Sequence, residues 1–143
     1  MRAKEYLSQL GKLERKIDDR KKHLEALKAD IPYLRGMSYD GVRVQTSPSG
    51  ECLAQKKVEQ IADIEAALSR EIAEYHHLRR KITLEIEQLQ DLRFQEILID
   101  RYVERMSLRE IADDMGYEVS WVRKLHGRSI NAFEVNLRRS KTV

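Results

Sequence analysis

The chain has 143 residues, of which 36% are charged and 6% aromatic, with six glycines, two prolines and one cysteine. That length holds one ordinary domain, or a small domain with a helical extension, and excludes a pair of large catalytic domains. The composition belongs with long helices and coiled coils, because a sheet protein would need more turn residues. The net charge of +3 conceals an asymmetry: residues 91–118 carry eight acids against four bases, a net of −4, and residues 119–143 carry six bases against one acid, a net of +5.

A basic patch beside an acidic one is the electrostatic footprint of a nucleic-acid reader, although tails and solvated helix faces also produce it. The lone Cys52 excludes an internal disulfide. With no apolar run of about 18 residues and no secretory leader pattern, a cytoplasmic protein without membrane association is expected.

From the N-terminus, Tyr6, Leu10, Leu13, Ile17, Leu24, Leu27 and Ile31 recur at alternating steps of four and three, with Arg20 the one polar member of the series. This predicts a helix over residues 3–31 with a coiled-coil-like seam. Pro32 is expected to stop it. The stretch PYLRGMSYDGVRVQTSPSG, residues 32–50, is rich in breakers and predicts a loop, with Val42, Arg43, Val44 and Gln45 suited to a short extended segment. A connection of that length reads equally as a docking segment or a flexible linker.

A second seam runs through Val58, Ile61, Glu65, Leu68, Ile72, Tyr75, Arg79, Ile82, Ile86 and Leu89, predicting a helix over 52–90 with Ser47 and Pro48 near its start. At about 1.5 Å per residue the two helices would span about 43 and 58 Å. Folded back as an antiparallel hairpin, the shorter could not cover the longer, so the remainder is expected to need either the C-terminal module or another copy of the chain, a homo-oligomer being the favoured reading. Glu65 and Arg79 inside the seam are expected to set register by pairing between copies. No Gly or Pro follows Leu89, so the helix is free to continue through Phe94, Ile97, Leu98, Arg101 and Tyr102 to Arg105.

Ser107 followed by Glu110 forms an S-x-x-E capping box and predicts a new helix. Leu108, Ile111, Ala112 and Met115 lead to Gly116, and a further helix carries Val122 and Leu125. A small residue, a turn glycine and branched apolar residues at these intervals are what two closely crossing helices require, as in a helix-turn-helix, although an ordinary helical hairpin also matches by chance. On a wheel at about 100° per residue, Val122, Leu125, His126, Ser129, Ile130, Phe133 and Leu137 share one arc and should face the core.

Opposite them lie Ser120, Arg123, Lys124, Gly127, Arg128, Asn131 and Arg138, a polar and cationic face of the width that enters a major groove. Ser120, Arg123, Lys124 and Gly127 are the candidate base contacts, with Arg123 and Lys124 the best placed to read guanine edges. Arg128, Asn131, Arg138, Arg139 and Lys141 are the candidate phosphate contacts. Gly127 costs about 1 kcal/mol relative to Ala inside a helix, so either a partner approaches the backbone there or the helix loosens or ends. Trp121 packs on the preceding helix, the commoner fate of a lone tryptophan, or lies along a phosphate strand.

The segment RYVERMSLREIADDMGYEVSWVRKLHGRSINAF resembles the region-4-type helix-turn-helix of sigma factors, and more closely the phage and prophage late-transcription regulators of the ArpU and RinA type. The likeness is strongest over about residues 92–137, and the preceding charged helices with the VQTSPSG loop look similar to the same group. It implies double-stranded DNA binding near a phage promoter, contact with RNA polymerase, and a location in the cytoplasm of a bacterial host. One departure is that such proteins often cap the recognition helix with Ser or Thr two positions after the turn glycine, where this chain has Glu118. The helix start is therefore uncertain by about two positions.

No catalytic, metal or cofactor site is expected. His76 and His77 are adjacent, so on a helix their side chains diverge by about 100°, and Cys52 has no histidine partner in a triad arrangement. No glycine-rich phosphate loop ending in Lys-Ser or Lys-Thr is present. The expected architecture is all-α, with a long helical hairpin and oligomerisation region over 1–90 and a helix-turn-helix DNA-binding domain over 91–143. The leading expectation is a sequence-specific transcriptional regulator. A small-terminase-like packaging factor and a polymerase-docking interaction module are the alternatives.

Overall fold

The computed structural model of the protein describes residues 2–40 and 49–142, with side chains described over 2–31 and 53–141. The chain is all-α. Its helices are α1 (Ala3–Asp40), α2 (Ser49–Ile86), α3 (Leu92–Leu98), α4 (Leu108–Met115) and α5 (Val119–Thr142), and a wider π turn over Ile99–Val103 continues α3. No described helix is long and apolar enough to cross a membrane.

Pro32 does not end α1, which continues to Asp40. A proline in a helix interior removes one backbone donor and crowds the carbonyl four residues earlier, costing about 3 kcal/mol without forbidding the turns beyond it. The expected loop over 32–50 is therefore helical at both ends, and its centre, including Val42–Gln45, Ser47 and Pro48, lies outside the described residues. Both long helices have 38 residues, about 57 Å each at the usual rise. The inequality of lengths that left part of the seam uncovered does not exist, and Ile82 and Ile86 near the end of α2 share a core with the C-terminal module.

The chain divides into two compact units, Arg15–Glu74 and Met1–Glu14 with Tyr75–Val143. The division falls within the long helices, whereas the heptad count suggested a boundary at residue 90. In the first unit the two helix segments run antiparallel, because rising positions on α1 meet falling positions on α2: Arg20 pairs with Glu71, Lys28 with Glu65, and Asp30 with Lys57. Ile17, Leu24, Leu27, Ala54, Ile61, Ile64 and Leu68 are its buried apolar residues.

Ile61, Leu68, Ile82, Ile86 and Leu89 of the expected seam are buried, but two of its members turn outward. Ile64 and Glu71 are buried, whereas Val58 is 42% exposed and the Glu65 side chain is 51% exposed. Ile64 and Glu71 lie next to or between the seam positions, so the buried stripe on this part of α2 is wider than a strict 3.5-residue count. Glu65 and Arg79 do not need a second copy to pair, since Lys28 meets Glu65 and Glu104 accepts a hydrogen bond from Arg79 at 3.1 Å. The polar element of the unit is instead Arg20 with Glu71, the latter only 7% exposed.

In the second unit, Ala3, Leu7 and Leu10 of α1 and Ile82 and Ile86 of α2 share a core with Leu89, Leu98, Tyr102, Val103 and Phe133. Tyr6 donates a hydrogen bond to Glu85 and stacks with Phe133 at 6.2 Å. Burial and the Glu85 carboxylate push the Tyr6 phenol pKa well up. α2 does not run on toward Arg105. It ends at Ile86, and Asp91 caps α3 by accepting the Arg93 amide at 2.9 Å. Gln95 donates to the Leu89 carbonyl at 2.6 Å and closes the turn.

Tyr102 and Val103 of the π turn both point inward, as do the adjacent pairs Ile97 and Leu98 of α3 and Ile111 and Ala112 of α4. The chain leaves it through Arg105 at φ 59°, with the Met106 amide donating to the Asp100 carbonyl at 2.8 Å and the Arg101 guanidinium donating to the Met106 carbonyl at 3.0 Å.

Candidate nucleic-acid interface

α4 begins where the capping box placed it, with Ser107 Oγ accepting the Glu110 amide at 3.1 Å. It stops at Gly116, whose φ of 74° is left-handed, and the Tyr117 amide bonds back to the Ala112 carbonyl at 2.9 Å. Only a residue without a β-carbon adopts that backbone cheaply, so Gly116 sets the direction in which the next helix leaves. α5 then starts at Val119, the Glu118 carbonyl accepting from Trp121 and Val122 at 3.1 Å each. This fixes the helix start: Glu118 takes the cap position and Ser120 lies in the first turn.

Ile111 and Ala112 of α4 pack with Ile97 of α3 and with Val122 and Leu125 of α5 in one buried cluster. Further along α5, Ser129 and Phe133 are buried, and Ile130 and Leu137 are half-buried. The arc assigned to the core is thus the arc that faces it. Fully burying each Leu, Val, Ile or Phe is worth about 1.5–3 kcal/mol, enough to fix which side of α5 faces outward.

All nine candidate contact residues, Ser120, Arg123, Lys124, Gly127, Arg128, Asn131, Arg138, Arg139 and Lys141, are exposed on this one helix. Gly127 sits inside α5 and does not end it, and a β-carbon built there meets nothing within 4 Å. No close approach within the protein explains its presence. Trp121 is half-buried against the α4 cluster, and the Arg128 guanidinium lies 5.4 Å from the centre of its ring. The indole both packs inward and holds one of the candidate phosphate ligands over its outer face by cation–π attraction. Arg138 is paired with Glu134 at 3.4 Å.

The flank of this face includes residues that the wheel on α5 could not reveal. His126 Nε2 and the Tyr102 hydroxyl are 2.9 Å apart, with rings stacked at 5.7 Å. Burial, then the charges of Arg101 and Lys4, hold the His126 pKa below the usual histidine range. Arg2 lines a surface pocket of about 350 Å³ together with Glu134, Leu137, Arg138 and Lys141. Lys4 and Arg2 are more than 110 residues from α5 in sequence, so only the tertiary packing brings them there.

On α3, the π turn and α4, carboxylate oxygens of Glu96, Asp100 and Asp114 lie within 4.8 Å of one another. Burial, then Glu96, Asp114 and Glu104, raise the Asp100 pKa. Like charges gathered this closely repel a phosphate backbone, so this carboxylate cluster of α3, the π turn and α4 contrasts with the cations of α5. His76 and His77 are exposed, and His76 makes an edge contact with Tyr75 at 5.4 Å. Set against protein-family models, curated proteins and solved structures, the chain matches none.

Proposed function

We propose that the protein is a sequence-specific DNA-binding transcriptional regulator of phage or prophage origin, acting with RNA polymerase at a promoter in the cytoplasm of a bacterial host. The observation that carries this reading is the presentation of nine polar, cationic or glycine positions on the exposed side of α5, while its other side is anchored by α4 through Gly116. A helix so held enters a major groove as a rigid body. Arg123 and Lys124 read base edges, with Ser120 and Gly127 beside them, and Arg128, Asn131, Arg138, Arg139 and Lys141 engage phosphates. The resemblance to region-4-type and ArpU/RinA-type proteins supports the same assignment.

The protein acts as a homo-oligomer in this reading, supported by Leu53 and Val58, which α2 leaves 52% and 42% exposed. If two subunits each neutralise about three phosphates, the logarithm of affinity falls against the logarithm of salt concentration with a slope near −5. Selection of bound sequences from random duplex DNA, followed by anisotropy titrations across salt, tests this. An enriched motif, a steep slope and loss of the preference in Arg123→Ala/Lys124→Ala are expected, and salt-insensitive or absent binding would sink the assignment.

The acidic group of Glu96, Asp100 and Asp114 favours a second reading, in which α3 and α4 dock on polymerase and DNA contact is secondary. In that case polymerase capture survives the Arg123→Ala/Lys124→Ala change and is lost on Glu96→Gln/Asp114→Asn.

A further inference from the structure

The first turn of α1 lies beside α5 at several independent points. Ala3 and Leu7 belong to the core cluster that contains Phe133, and Tyr6 stacks on Phe133. On one side of those anchors, Arg2 shares a surface pocket with Arg138 and Lys141. On the other, Lys4 and Arg101 are close enough to His126 to act on its charge, and Tyr102, next to Arg101, bonds the imidazole. Arg2, Lys4 and Arg101 are all exposed. The one carboxylate lining the pocket, Glu134, is paired with Arg138.

From this arrangement we infer that Arg2, Lys4 and Arg101 form a second phosphate track along the flank of α5, continuous with Arg138 and Lys141, which binds the sugar–phosphate backbone of the duplex that α5 reads. The inference rests on the DNA-binding reading and extends it to residues from α1 and the π turn. Between His126 and Lys141, α5 advances about 22 Å at the usual rise. The duplex rises about 3.4 Å along its axis per step of one strand, so a track of that length reaches several successive phosphates. Cations from three separate elements along it fix the orientation of the helix on the duplex, whereas a row on α5 alone would let the helix roll in the groove. Such contacts carry affinity and register but no base information.

The test compares the full chain with Arg2→Gln/Lys4→Gln by anisotropy on the selected duplex and on a scrambled one, between 50 and 200 mM salt. Arg101 is left intact because its guanidinium also holds the Met106 carbonyl. Each lost phosphate contact lowers the salt slope by about one. The variant's slope should therefore be shallower by about two per bound chain, and its affinity deficit should shrink about tenfold across that salt range. The ratio of selected to scrambled affinity should stay unchanged. A circular-dichroism melt like that of the parent shows that the fold is retained.

An unaltered slope in a variant that folds and binds overturns the phosphate track while leaving the role of α5 intact. A changed sequence preference also overturns it. If the unmodified chain binds neither duplex, the DNA-binding reading itself fails.

Discussion

Gly127→Ala separates what α5 needs to be stable from what it needs to bind. The residue lies inside the helix, its side is exposed, and an added β-carbon meets no atom within 4 Å. No packing or strain term opposes the substitution, so the helix-propensity difference remains, about 0.8–1.0 kcal/mol in favour of Ala. For a chain of this size that corresponds to a rise of about 3 °C in Tm. If the duplex approaches the backbone at this point, the same methyl group is placed against it, and affinity should fall about tenfold or more despite the gain in stability. Thermal melts monitored by circular dichroism give the first quantity and anisotropy titrations the second. A melting temperature that falls would refute the geometry assigned to Gly127, and unchanged affinity would refute the reasoning that a partner requires glycine there.

Acidification should weaken the fold through His126. Its folded-state pKa lies below the ordinary value of 6.5, so the unfolded chain takes up the proton first. The stability contributed is complete above about pH 6.5 and is lost as pH falls through the folded-state pKa; His126→Gln should flatten the Tm profile over that window, and an identical slope in the variant would remove His126 as its cause. In the Arg15–Glu74 unit, Glu71→Ala leaves Arg20 about one-third exposed and without its carboxylate, at an expected cost of about 2 kcal/mol by urea denaturation. Arg20→Met/Glu71→Leu should recover most of it, because a well-packed apolar pair replaces a half-buried ionic one, and a double variant no better than Glu71→Ala would contradict this.

The amphipathic logic of α4 and α5 was legible because Ile111, Ala112, Val122, Leu125 and Phe133 all lie within a few turns of the Gly116 crossing, so their periods had little room to drift. The Ser107 cap and the Gly116 turn were legible for a different reason, since each depends on the chemistry of one residue. Longer elements were read less well. The heptad count on α2 selected Glu65 where Ile64 and Glu71 turn inward, and Pro32 looked like a stop although α1 absorbs it. The π turn over Ile99–Val103 leaves no marker in composition. Lys4 and Arg2 were out of reach of any local pattern, because their place beside α5 depends on Tyr6, Leu7 and Phe133 meeting across the whole length of the sequence.

Trp121 is the only tryptophan in the chain, and it sits in the first turns of α5 with Arg128 over one face of its ring. Its ultraviolet emission therefore belongs to that helix alone. A ligand that draws the guanidinium away from the indole changes the polarity above the ring and so its emission, without any attached dye. The same contact that restrains a cation thus equips the protein with an intrinsic optical reporter, able to time the engagement of α5 separately from events elsewhere in the molecule.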